Sequence, residues 1–382
     1  MPRNLRIGIN ALYLIPGGVG GTEIYLRNLL AALARIDRRN HYFVYLNRET
    51  DAELCPKAAN FAPVETGVRA SFRAGRLLWE QLRLPLEARK AKLDVLFCPG
   101  FTSPSIGRSR RVTVIHDMQH KRQPENFGAI ERRAWGFFVG QSIKRSHLLV
   151  TVSDNSKADI LSSCPIPPDR VRVVRHGVEE AFFGLADNET YDKSLLAEAG
   201  LPECRYLLAV STVHPHKNWG RLLDAFEKVR ERDSTLHLAV CGLAGKSWDE
   251  VKQRIEGGAL SGYVHLLGWQ PRNRLIGLFR FAEALVFPST FEGFGIPVAE
   301  ALAAELPVAC SDIPPLREIA DGCATFFDAE SAESMSEAIC SVLGDKPRRE
   351  LQKQAGRERA ADLSWTRAAE QTLAIFLEAA RE

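Results

Sequence analysis

Short apolar runs alternate with longer amphipathic segments along almost the whole chain. Most of the runs are continuous rather than alternating, which is typical of parallel strands buried on both faces of a sheet. The sequence therefore predicts an α/β protein built from doubly wound parallel sheets. The predicted strands are Leu5–Asn10, Tyr42–Asn47, Val95–Pro99, Val112–Asp117, Leu148–Ser153, Val171–His176, Tyr206–Thr212, Leu236–Gly242, Val264–Trp269, Ala284–Ser289, Val308–Asp312 and Thr325–Asp328.

The strand–helix rhythm occurs twice, with a polar stretch between Gly184 and Gly200. We therefore predict two Rossmann-like domains, residues 1–183 and 184–363, with ligands bound in a cleft between them at the carboxyl ends of the strands. Residues 364–382 form a last helix, expected to cross back onto the first domain. Predicted helices lie near residues 22–36, 71–91, 128–145, 154–162, 218–232, 247–257, 272–281, 295–304, 330–343 and 346–361.

The composition is that of an ordinary globular protein, with 45% hydrophobic and 25% charged residues among 382. No apolar run is long enough for a transmembrane helix, and the start of the chain lacks the apolar core of a secretory signal. The eight cysteines form no CxxC pair, so we expect free thiols and a cytoplasmic location. Because no Cys/His pair has ligand spacing, no metal site is expected.

The segment FPSTFEGFGIPVAE, residues 287–300, has the character of a ligand-binding turn. Its glycines allow close backbone approach, and the helix that begins near Gly295 offers amides to an anion such as a diphosphate. Glu292 and Glu300 stand roughly 9–12 Å apart, which suits two hydroxyl-bearing parts of one elongated ligand rather than one metal ion. The alternative is a tight turn with two surface glutamates.

This segment resembles the E-x7-E motif of the retaining glycosyltransferases of family 4, which have the GT-B fold. The resemblance extends over nearly the whole chain, because further motifs follow in the family's order. It implies that Glu292 contacts the donor sugar and that Glu300 holds the ribose of the nucleotide. It also implies that backbone amides of three residues bind the sugar and phosphates, namely Gly293, Phe294 and Gly295.

The segment Ser211–Asn218 (STVHPHKN) follows the first predicted strand of the second half. Lys217 is a point charge suited to neutralising phosphate, although a solvated surface lysine is the alternative. The family has a lysine here that binds the diphosphate, usually after an arginine. His216 replaces that arginine and could substitute for it only when protonated.

A glycine-rich loop, PGGVGGTE, follows the first strand and opens a helix. A nicotinamide-binding fingerprint is the main alternative, but the G-x-G-x-x-G spacing is missing. The loop is similar to the family's GGxG loop, which faces the acceptor and the donor phosphates. That similarity points to Gly18, Gly20 and Gly21.

His116 and Asp117 end the strand Val112–Asp117, where a polar pair emerges at a strand end. The alternative is a structural histidine. The segment resembles a family subgroup in which the histidine lies beside the donor sugar, so His116, Lys217 and Glu292 are the expected catalytic residues. Asp117 is expected to orient the loop or the acceptor. Ser211, Gly268 and Trp269 complete the expected donor-binding residues.

The family usually has glycine at the end of the helix where this chain has Glu305. Glycine suits a position of positive φ after a helix. Glu305 therefore predicts a different helix ending or mild strain.

The resemblance implies a retaining transfer without a metal or other cofactor, in which Lys217 and a helix N-terminus stabilise the leaving diphosphate. The closest motif likeness is to bacterial mannosyltransferases of surface-polysaccharide assembly, so GDP-mannose is the favoured donor and a UDP-sugar the alternative. The expected acceptor is a saccharide or lipid-linked saccharide. A nucleotide-sugar epimerase, a glycogen-type phosphorylase and a non-catalytic assembly subunit remain as alternatives, whereas no nucleic-acid-binding module is apparent.

The near-neutral net charge of +3 conceals two halves of opposite charge. Residues 1–183 hold 28 basic and 17 acidic residues, and the remainder hold 22 and 30. We expect the basic half to contact an anionic membrane surface peripherally, although a charge run is also typical of a solvated face. Its clusters are Arg69, Arg73, Arg76, Arg83, Arg89, Lys90 and Lys92, then Arg108, Arg110 and Arg111, then Arg132, Arg133, Lys144 and Arg145.

Overall fold

The computed structural model describes residues 4–185 and 188–381. Residues 1–3, 186, 187 and 382 lie outside this description, including two residues of the polar stretch predicted between the halves. The described residues divide into two compact units, 4–177 with 365–381, and 178–185 with 188–364.

A parallel sheet forms the centre of the first unit. Its order among the described residues is β3-β2-β1-β4-β5-β6-β7. The strands are β1 (Arg6–Asn10), β2 (His41–Leu46), β3 (Phe61–Glu65), β4 (Val95–Cys98), β5 (Arg110–Val114), β6 (Leu148–Thr151) and β7 (Val171–Val173). The helices are α1 (Gly21–Ile36), α2 (Arg73–Leu82), α3 (Leu84–Lys90), α4 (Gln119–Arg122), α5 (Ala129–Arg145) and α6 (Asp154–Ser163).

The second unit repeats this architecture with a parallel sheet of order β10-β9-β8-β11-β12-β13. Its strands are β8 (Arg205–Val210), β9 (Leu236–Cys241), β10 (Val264–Gly268), β11 (Ala284–Phe287), β12 (Val308–Ser311) and β13 (Thr325–Phe327). Its helices are α7 (Ser194–Glu198), α8 (Trp219–Arg232), α9 (Trp248–Glu256), α10 (Arg272–Phe281), α11 (Ile296–Ala303), α12 (Pro314–Ala320), α13 (Ala332–Gly344) and α14 (Lys346–Ala361).

The last helix, α15 (Trp365–Ala379), packs in the first unit, as the sequence predicted. Its Phe376 is fully buried and meets Phe97 of β4 with ring centroids 5.1 Å apart. Trp365 lies against Tyr25 of α1 with ring centroids 6.0 Å apart. The apolar stripe of α15 thus completes the core around β1 and β4.

The division between the units falls after Gly177, six residues before the position expected from the sequence. Val178 forms a parallel bridge with Ser364, and its amide donates to the carbonyl of Leu363. Phe182 is buried against Phe279 of α10, with ring centroids 5.2 Å apart. Residues 178–183 therefore pack with the second unit.

All twelve predicted strands are present, and β3 is the strand that the sequence analysis missed. Its sequence, FAPVE, contains a proline and is not a continuous apolar run. Such a strand is tolerated because β3 lies at the edge of the sheet with alternate residues exposed. The predicted helix over 71–91 is two helices, α2 and α3, which meet at Arg83.

Candidate donor-binding site

The strand order of the second sheet reverses between β8 and β11, which are hydrogen-bonded neighbours. Ligands of open α/β sheets bind at such a reversal, outside the carboxyl ends of the strands. The loops that follow β8 and β11 are joined there, because the amide of Thr290 donates to the carbonyl of His216 at 2.8 Å. The structure thus brings the two strongest sequence motifs together at one sheet edge.

Lys217 and Glu292 form an ion pair in these loops, with Lys217 Nζ 2.5 Å from Glu292 Oε1. The two side chains are 14% and 12% exposed, so both charges are largely removed from water. Lys217 Nζ also lies 5.6 Å from the centre of the Phe287 ring. A shielded cation held by a carboxylate is suited to exchange that partner for an anionic ligand.

His216 is a neutral neighbour of this pair. Burial, together with the positive charge of Lys217, lowers the pKa of His216 to about 3. A pKa this low leaves His216 uncharged near pH 7, which gives no support to the expectation that it replaces the missing arginine when protonated. Lys217 supplies the positive charge at this point of the loop.

Helix α11 begins directly after the loop that carries Glu292. Gly295 precedes it with φ of 107°, and a Cβ at this position would lie 2.5 Å from Leu316 Cδ2, so glycine is required here. No acidic side chain stands in the first turn of α11. The positive end of this helix is therefore open to an anion. Gly293 and Phe294 lie in the loop just before it.

Glu300 lies inside the unit, 2% exposed, rather than at its surface. Its carboxylate pairs with Arg272 at the start of α10, and that guanidinium also contacts Glu179 at 2.8 Å. Burial raises the pKa of Glu300, against the lowering effect of Arg272. A ligand hydroxyl that binds Glu300 would therefore share the carboxylate with Arg272.

Arg272 and Glu179 were not expected at this site from the sequence. Neither residue stands in a recognisable motif, although Arg272 follows the Gly268-Trp269 segment closely. Arg272 and Glu179 reach Glu300 only through the folding of the chain, as their ion pairs show, so spacing along the sequence could not reveal this cluster.

The other predicted donor residues of this unit lie at neighbouring strand ends. The amide of Ser211 donates to the carbonyl of Cys241 at 3.0 Å, which ties the ends of β8 and β9 together. Gly268 ends β10 with φ of 66°, and the following Trp269 is 56% exposed. An exposed indole at this edge offers a flat apolar surface to an aromatic base.

The strand order of the first sheet reverses between β1 and β4. The glycine loop follows β1 and leads into α1, whose N-cap is Gly20 with φ of 57° and ψ of −128°. Gly21 is the first residue of the helix, and the amide of Gly18 donates to Ile15 at 2.8 Å. The predicted loop therefore stands at the ligand-binding edge of its own sheet.

His116 follows β5 and is 6% exposed. Its Nε2 lies 2.9 Å from the carbonyl oxygen of Pro99, so Nε2 carries the proton and donates. Burial lowers the pKa of His116 to about 4, against the raising effect of this hydrogen bond. The neutral ring is packed between Tyr25 and Phe101, with centroids 5.0 and 5.2 Å away.

Asp117 has a local structural contact. Its Oδ1 accepts a hydrogen bond from the amide of Gln119 at 2.9 Å, at the start of α4. This contact fits the expected loop-orienting role.

A further buried carboxyl group lies at the end of β1. Glu80 of α2 is 1% exposed and accepts hydrogen bonds from Asn10 Nδ2 at 2.8 Å and from Thr102 Oγ1 at 3.1 Å. Burial raises its pKa. No motif points to Glu80, which stands among basic residues on a short amphipathic helix.

The basic surface of the first unit is smaller than the sequence suggested. Arg76 and Arg111 are 5% and 8% exposed, and Arg111 donates to the carbonyl of Arg145 at 2.8 Å. These two side chains are therefore not available to a membrane. The same unit also exposes large apolar side chains: Phe72, Leu78, Leu82, Leu86, Ile106, Ile130 and Phe137.

Within residues 4–185 and 188–381, no helix is both long and apolar enough to cross a membrane.

Two family models match consecutive parts of the chain. The one described as Glycosyltransferase Family 4 matches residues 19–182, and the one described as Glycosyl transferases group 1 matches residues 197–359. Together they extend over most of both units.

Among curated proteins, the chain is 29% identical to O-antigen chain mannosyltransferase B of Escherichia coli over 317 residues, 80% of this chain and 82% of that protein. It is 28% identical to O-antigen chain mannosyltransferase RfbU of Salmonella typhimurium, covering 69% and 68% of the two chains.

Among solved structures, WaaG, a glycosyltransferase involved in lipopolysaccharide biosynthesis, superposes with a TM-score of 0.76 at 20% identity over 97% of this chain and 99% of that one. HepE of Anabaena, solved with UDP-glucose, gives a TM-score of 0.75 at 16% identity over 97% and 100%. These likenesses show the GT-B fold. The two family models, which together match more than half of the chain, show that it belongs to glycosyltransferase family 4.

Proposed function

We propose that this protein transfers mannose from GDP-mannose to a saccharide or lipid-linked saccharide, with retention of configuration, in the assembly of a bacterial surface polysaccharide. The observation that carries the donor side is the shielded Lys217–Glu292 pair at the strand reversal of the second sheet. The names of the two O-antigen mannosyltransferase relatives support mannose. The UDP-glucose complex of HepE supports a nucleotide sugar in general and makes a UDP-sugar the alternative donor.

Lys217 and the positive end of α11 act on the leaving diphosphate in this proposal. The diphosphate replaces Glu292 as the partner of Lys217, which releases the Glu292 carboxylate toward hydroxyls of the sugar. Both the ammonium group and the helix end are fixed before the substrate binds, so they stabilise the charge that develops on the leaving group without reorganisation. Glu300, held by Arg272, binds the ribose, and Trp269 with Gly268 contacts the base.

The transfer step breaks the bond between the anomeric carbon and the diphosphate oxygen and forms one to the acceptor oxygen on the same face. The proton of the acceptor hydroxyl passes to the departing diphosphate. His116, neutral and fixed by its Nε2–H bond to Pro99, hydrogen-bonds sugar hydroxyls. The glycine loop at Gly18, Gly20 and Gly21 serves the acceptor and phosphates. The scheme uses no metal ion or organic cofactor.

We further propose that the first unit docks on the cytoplasmic face of an anionic membrane. The start of α2 and helix α5 carry exposed apolar side chains next in sequence to exposed arginines: Phe72 precedes Arg73, which pairs with Glu131, and Ile130 stands close to Arg132 and Arg133. Apolar side chains that enter the interface next to cations that meet lipid phosphates are typical of peripheral membrane binding. Such docking would bring the enzyme to a lipid-linked acceptor.

The donor is tested by measuring thermal stability with nucleotides and by assaying transfer. We expect GDP and GDP-mannose to raise the Tm and UDP to leave it unchanged, because a ligand that binds the folded state stabilises it. Transfer of mannose from GDP-mannose to a lipid-linked saccharide is the expected activity. Stabilisation by UDP but not by GDP would show that the donor is a UDP-sugar rather than GDP-mannose. Stabilisation by NAD(H) would favour a dehydrogenase. Product formation without an acceptor would favour an epimerase, and nucleotide binding without any transfer would favour a non-catalytic subunit.

A further inference from the structure

Three residues that are distant in sequence meet at the amino-terminal ends of β8, β9 and β10. Cys204 precedes β8, His237 is the second residue of β9, and His265 is the second residue of β10. One ligand atom from each, a Sγ or a ring nitrogen, lies within 4.8 Å of the other two. All three side chains are half-buried.

The register of the sheet explains why these side chains share one face. Tyr206 pairs with His237 and Ala239 pairs with His265, and paired residues of parallel strands point to the same side. Cys204 stands two residues before Tyr206, and His237 stands two residues before Ala239. Because side chains alternate between the two faces of a strand, residues two apart point to the same face. The pleat of three consecutive strands thus holds the three side chains together.

The rings of the two histidines are hydrogen-bonded to each other, and a bound ion would replace this bond, with the shared proton moving to the outer nitrogen of its ring. His237 Nδ1 lies 2.9 Å from His265 Nε2, and the ring planes differ by 18°. Two nitrogens bound to one tetrahedral ion at 2.0–2.1 Å would be about 3.3 Å apart. For an ion to bind, the two nitrogens must therefore move apart by a few tenths of an ångström, which small side-chain rotations allow.

We propose that Cys204, His237 and His265 form a Zn²⁺ site, with water as the fourth ligand. One thiolate and two imidazoles are the donor types that zinc prefers, and a tetrahedral ion accommodates three protein ligands and one water. Binding converts the Cys204 thiol to a thiolate, forms the Zn–S bond and releases the thiol proton to solvent.

The charges around the cluster are compatible with this ion. The Arg230 guanidinium is the charged group that acts on His237. Arg230 lies over the ring of Tyr263 at 3.2 Å from its centre and opposes a cation. The Cys204 thiolate compensates for part of that repulsion by leaving the zinc centre with a net charge of about +1.

The site is separate from the donor site. It lies at the amino ends of β8–β10, whereas Lys217 and Glu292 follow the carboxyl ends of β8 and β11. A six-residue strand such as β8 places roughly 20 Å between the two edges of the sheet. Zinc at this position would fasten the starts of three strands and stabilise the second unit rather than take part in transfer. Ligand spacing along the chain could not reveal this cluster, because its three residues belong to the starts of three different strands.

Tag-free, chelator-treated protein is titrated with Zn²⁺ in competition with a chromophoric indicator. We expect one high-affinity equivalent per chain, and affinity at least tenfold lower in Cys204→Ser and in His265→Gln. Matched controls are Cys340→Ser, at another half-buried cysteine, and His41→Gln, at an exposed histidine. Both controls should bind like the wild type. No binding by the wild type, or undiminished binding by Cys204→Ser, would overturn the proposal.

Two further readouts separate a site from weak adsorption. Co²⁺ in place of Zn²⁺ should give the absorption of a tetrahedral ion with a sulfur-to-metal charge-transfer band, and Cys204→Ser should lack that band. Zn²⁺ at about 100 times the wild-type Kd should raise the Tm of the wild type by about 5 °C and that of His265→Gln by about half as much or less. Circular dichroism confirms that each variant is folded. An octahedral cobalt spectrum without the charge-transfer band would exclude Cys204 as a ligand.

Discussion

Lys217 is the residue on which the proposed diphosphate site depends most directly. Replacing it with alanine removes the cation and leaves Glu292 without its partner. We expect Lys217→Ala to lower kcat/KM for the nucleotide sugar by about 10²-fold, the usual effect of losing one group that stabilises transition-state charge. Steady-state transfer assays at saturating acceptor measure this change.

The matched control for Lys217 is Lys228 of α8, a 44% exposed lysine paired with Glu333. Lys228→Ala removes the same charge from the same unit, so it should leave kcat/KM within twofold of the wild type. Equal losses in the two variants would mean that overall charge, rather than the position of Lys217, controls the rate.

His116 makes the stability of the first unit depend on pH. Because its pKa is lowered to about 4 in the folded protein, the unfolded chain binds a proton more readily between pH 6.5 and 4. Its contribution is therefore present above pH 6.5 and is lost as the pH falls toward 4. The loss is about 1.4 kcal/mol per pH unit for this residue.

A glutamine at position 116 retains a donor toward Pro99 but does not titrate. We expect the stability difference between the wild type and His116→Gln to shrink by about 2 kcal/mol from pH 7 to pH 5. Urea denaturation followed by circular dichroism at the two pH values gives this difference. A constant difference would show that His116 is already protonated in the folded state or has an ordinary pKa.

The residues of the candidate donor site could be located from the sequence, but their charge states and burial could not. Glycines, a lysine and two glutamates at strand ends identify a phosphate-binding edge because parallel strands bring their carboxyl ends together. The charge state of His216 depends on its burial beside Lys217, and the burial of Glu300 depends on Arg272 from another helix. Those are properties of three-dimensional packing.

At the scale of one element, the end of α11 carries a strained residue. Glu305 has φ of 54°, its amide donates to Leu302, and the amide of Leu306 donates to Ala301, which is the Schellman arrangement. The sequence predicted either a different helix ending or mild strain at Glu305. The structure shows an ordinary helix ending with strain at that residue. Its side chain pairs with Arg357 at 3.3 Å on the surface.

Glycine at position 305 removes the Cβ strain but adds flexibility to the unfolded chain. We expect Glu305→Gly to raise the free energy of unfolding by about 0.5–1 kcal/mol, since relief of the strain outweighs the entropic term. Ala304→Gly, one residue earlier at φ of −77°, is the control and should instead destabilise by about 0.5–1 kcal/mol. Chemical denaturation compares both variants with the wild type, and destabilisation by Glu305→Gly would show that the Arg357 pair dominates.

Helix α15 is a second element whose contribution can be measured. Phe376→Ala leaves a cavity against Phe97 and should lower the stability of the first unit by about 3–5 kcal/mol. Phe137→Ala, at a phenylalanine of α5 that is 61% exposed, should change stability by less than about 0.5 kcal/mol. Denaturant midpoints measure both, and a small effect at Phe376 would mean that α15 is not part of the core.

Most elements could be predicted because buried parallel strands are continuous apolar runs and surface helices are amphipathic. The strand β3 is the exception that shows the limit of this rule. At the edge of its sheet it needs neither an apolar run nor a complete set of amide donors, so Pro63 is tolerated. Its assignment depends on pairing with β2 from Tyr42↔Phe61 to Leu46↔Glu65, which is a tertiary contact.

At the scale of the whole molecule, the two halves of the chain, each with a sheet of the same kind of strand reversal, carry opposite net charges. The acidic second unit holds the expected site for an anionic nucleotide, so attraction there depends on a few placed groups such as Lys217 rather than on the overall field. The basic first unit adds exposed apolar side chains to its surface. This asymmetry is the physical basis for assigning membrane contact to the first unit.

Binding to lipid vesicles tests that assignment. We expect the protein to sediment with vesicles rich in phosphatidylglycerol but not with phosphatidylcholine vesicles, and to dissociate as salt is raised, because about 1 kcal/mol per arginine comes from the surface potential. Replacing Phe72 and Ile130 together with serine, or Arg132 and Arg133 together with glutamate, should weaken binding at least tenfold. Leu351→Ser, at an equally exposed leucine of the second unit, should have no effect. Absence of binding at every salt concentration, or an equal loss in Leu351→Ser, would contradict docking through the first unit.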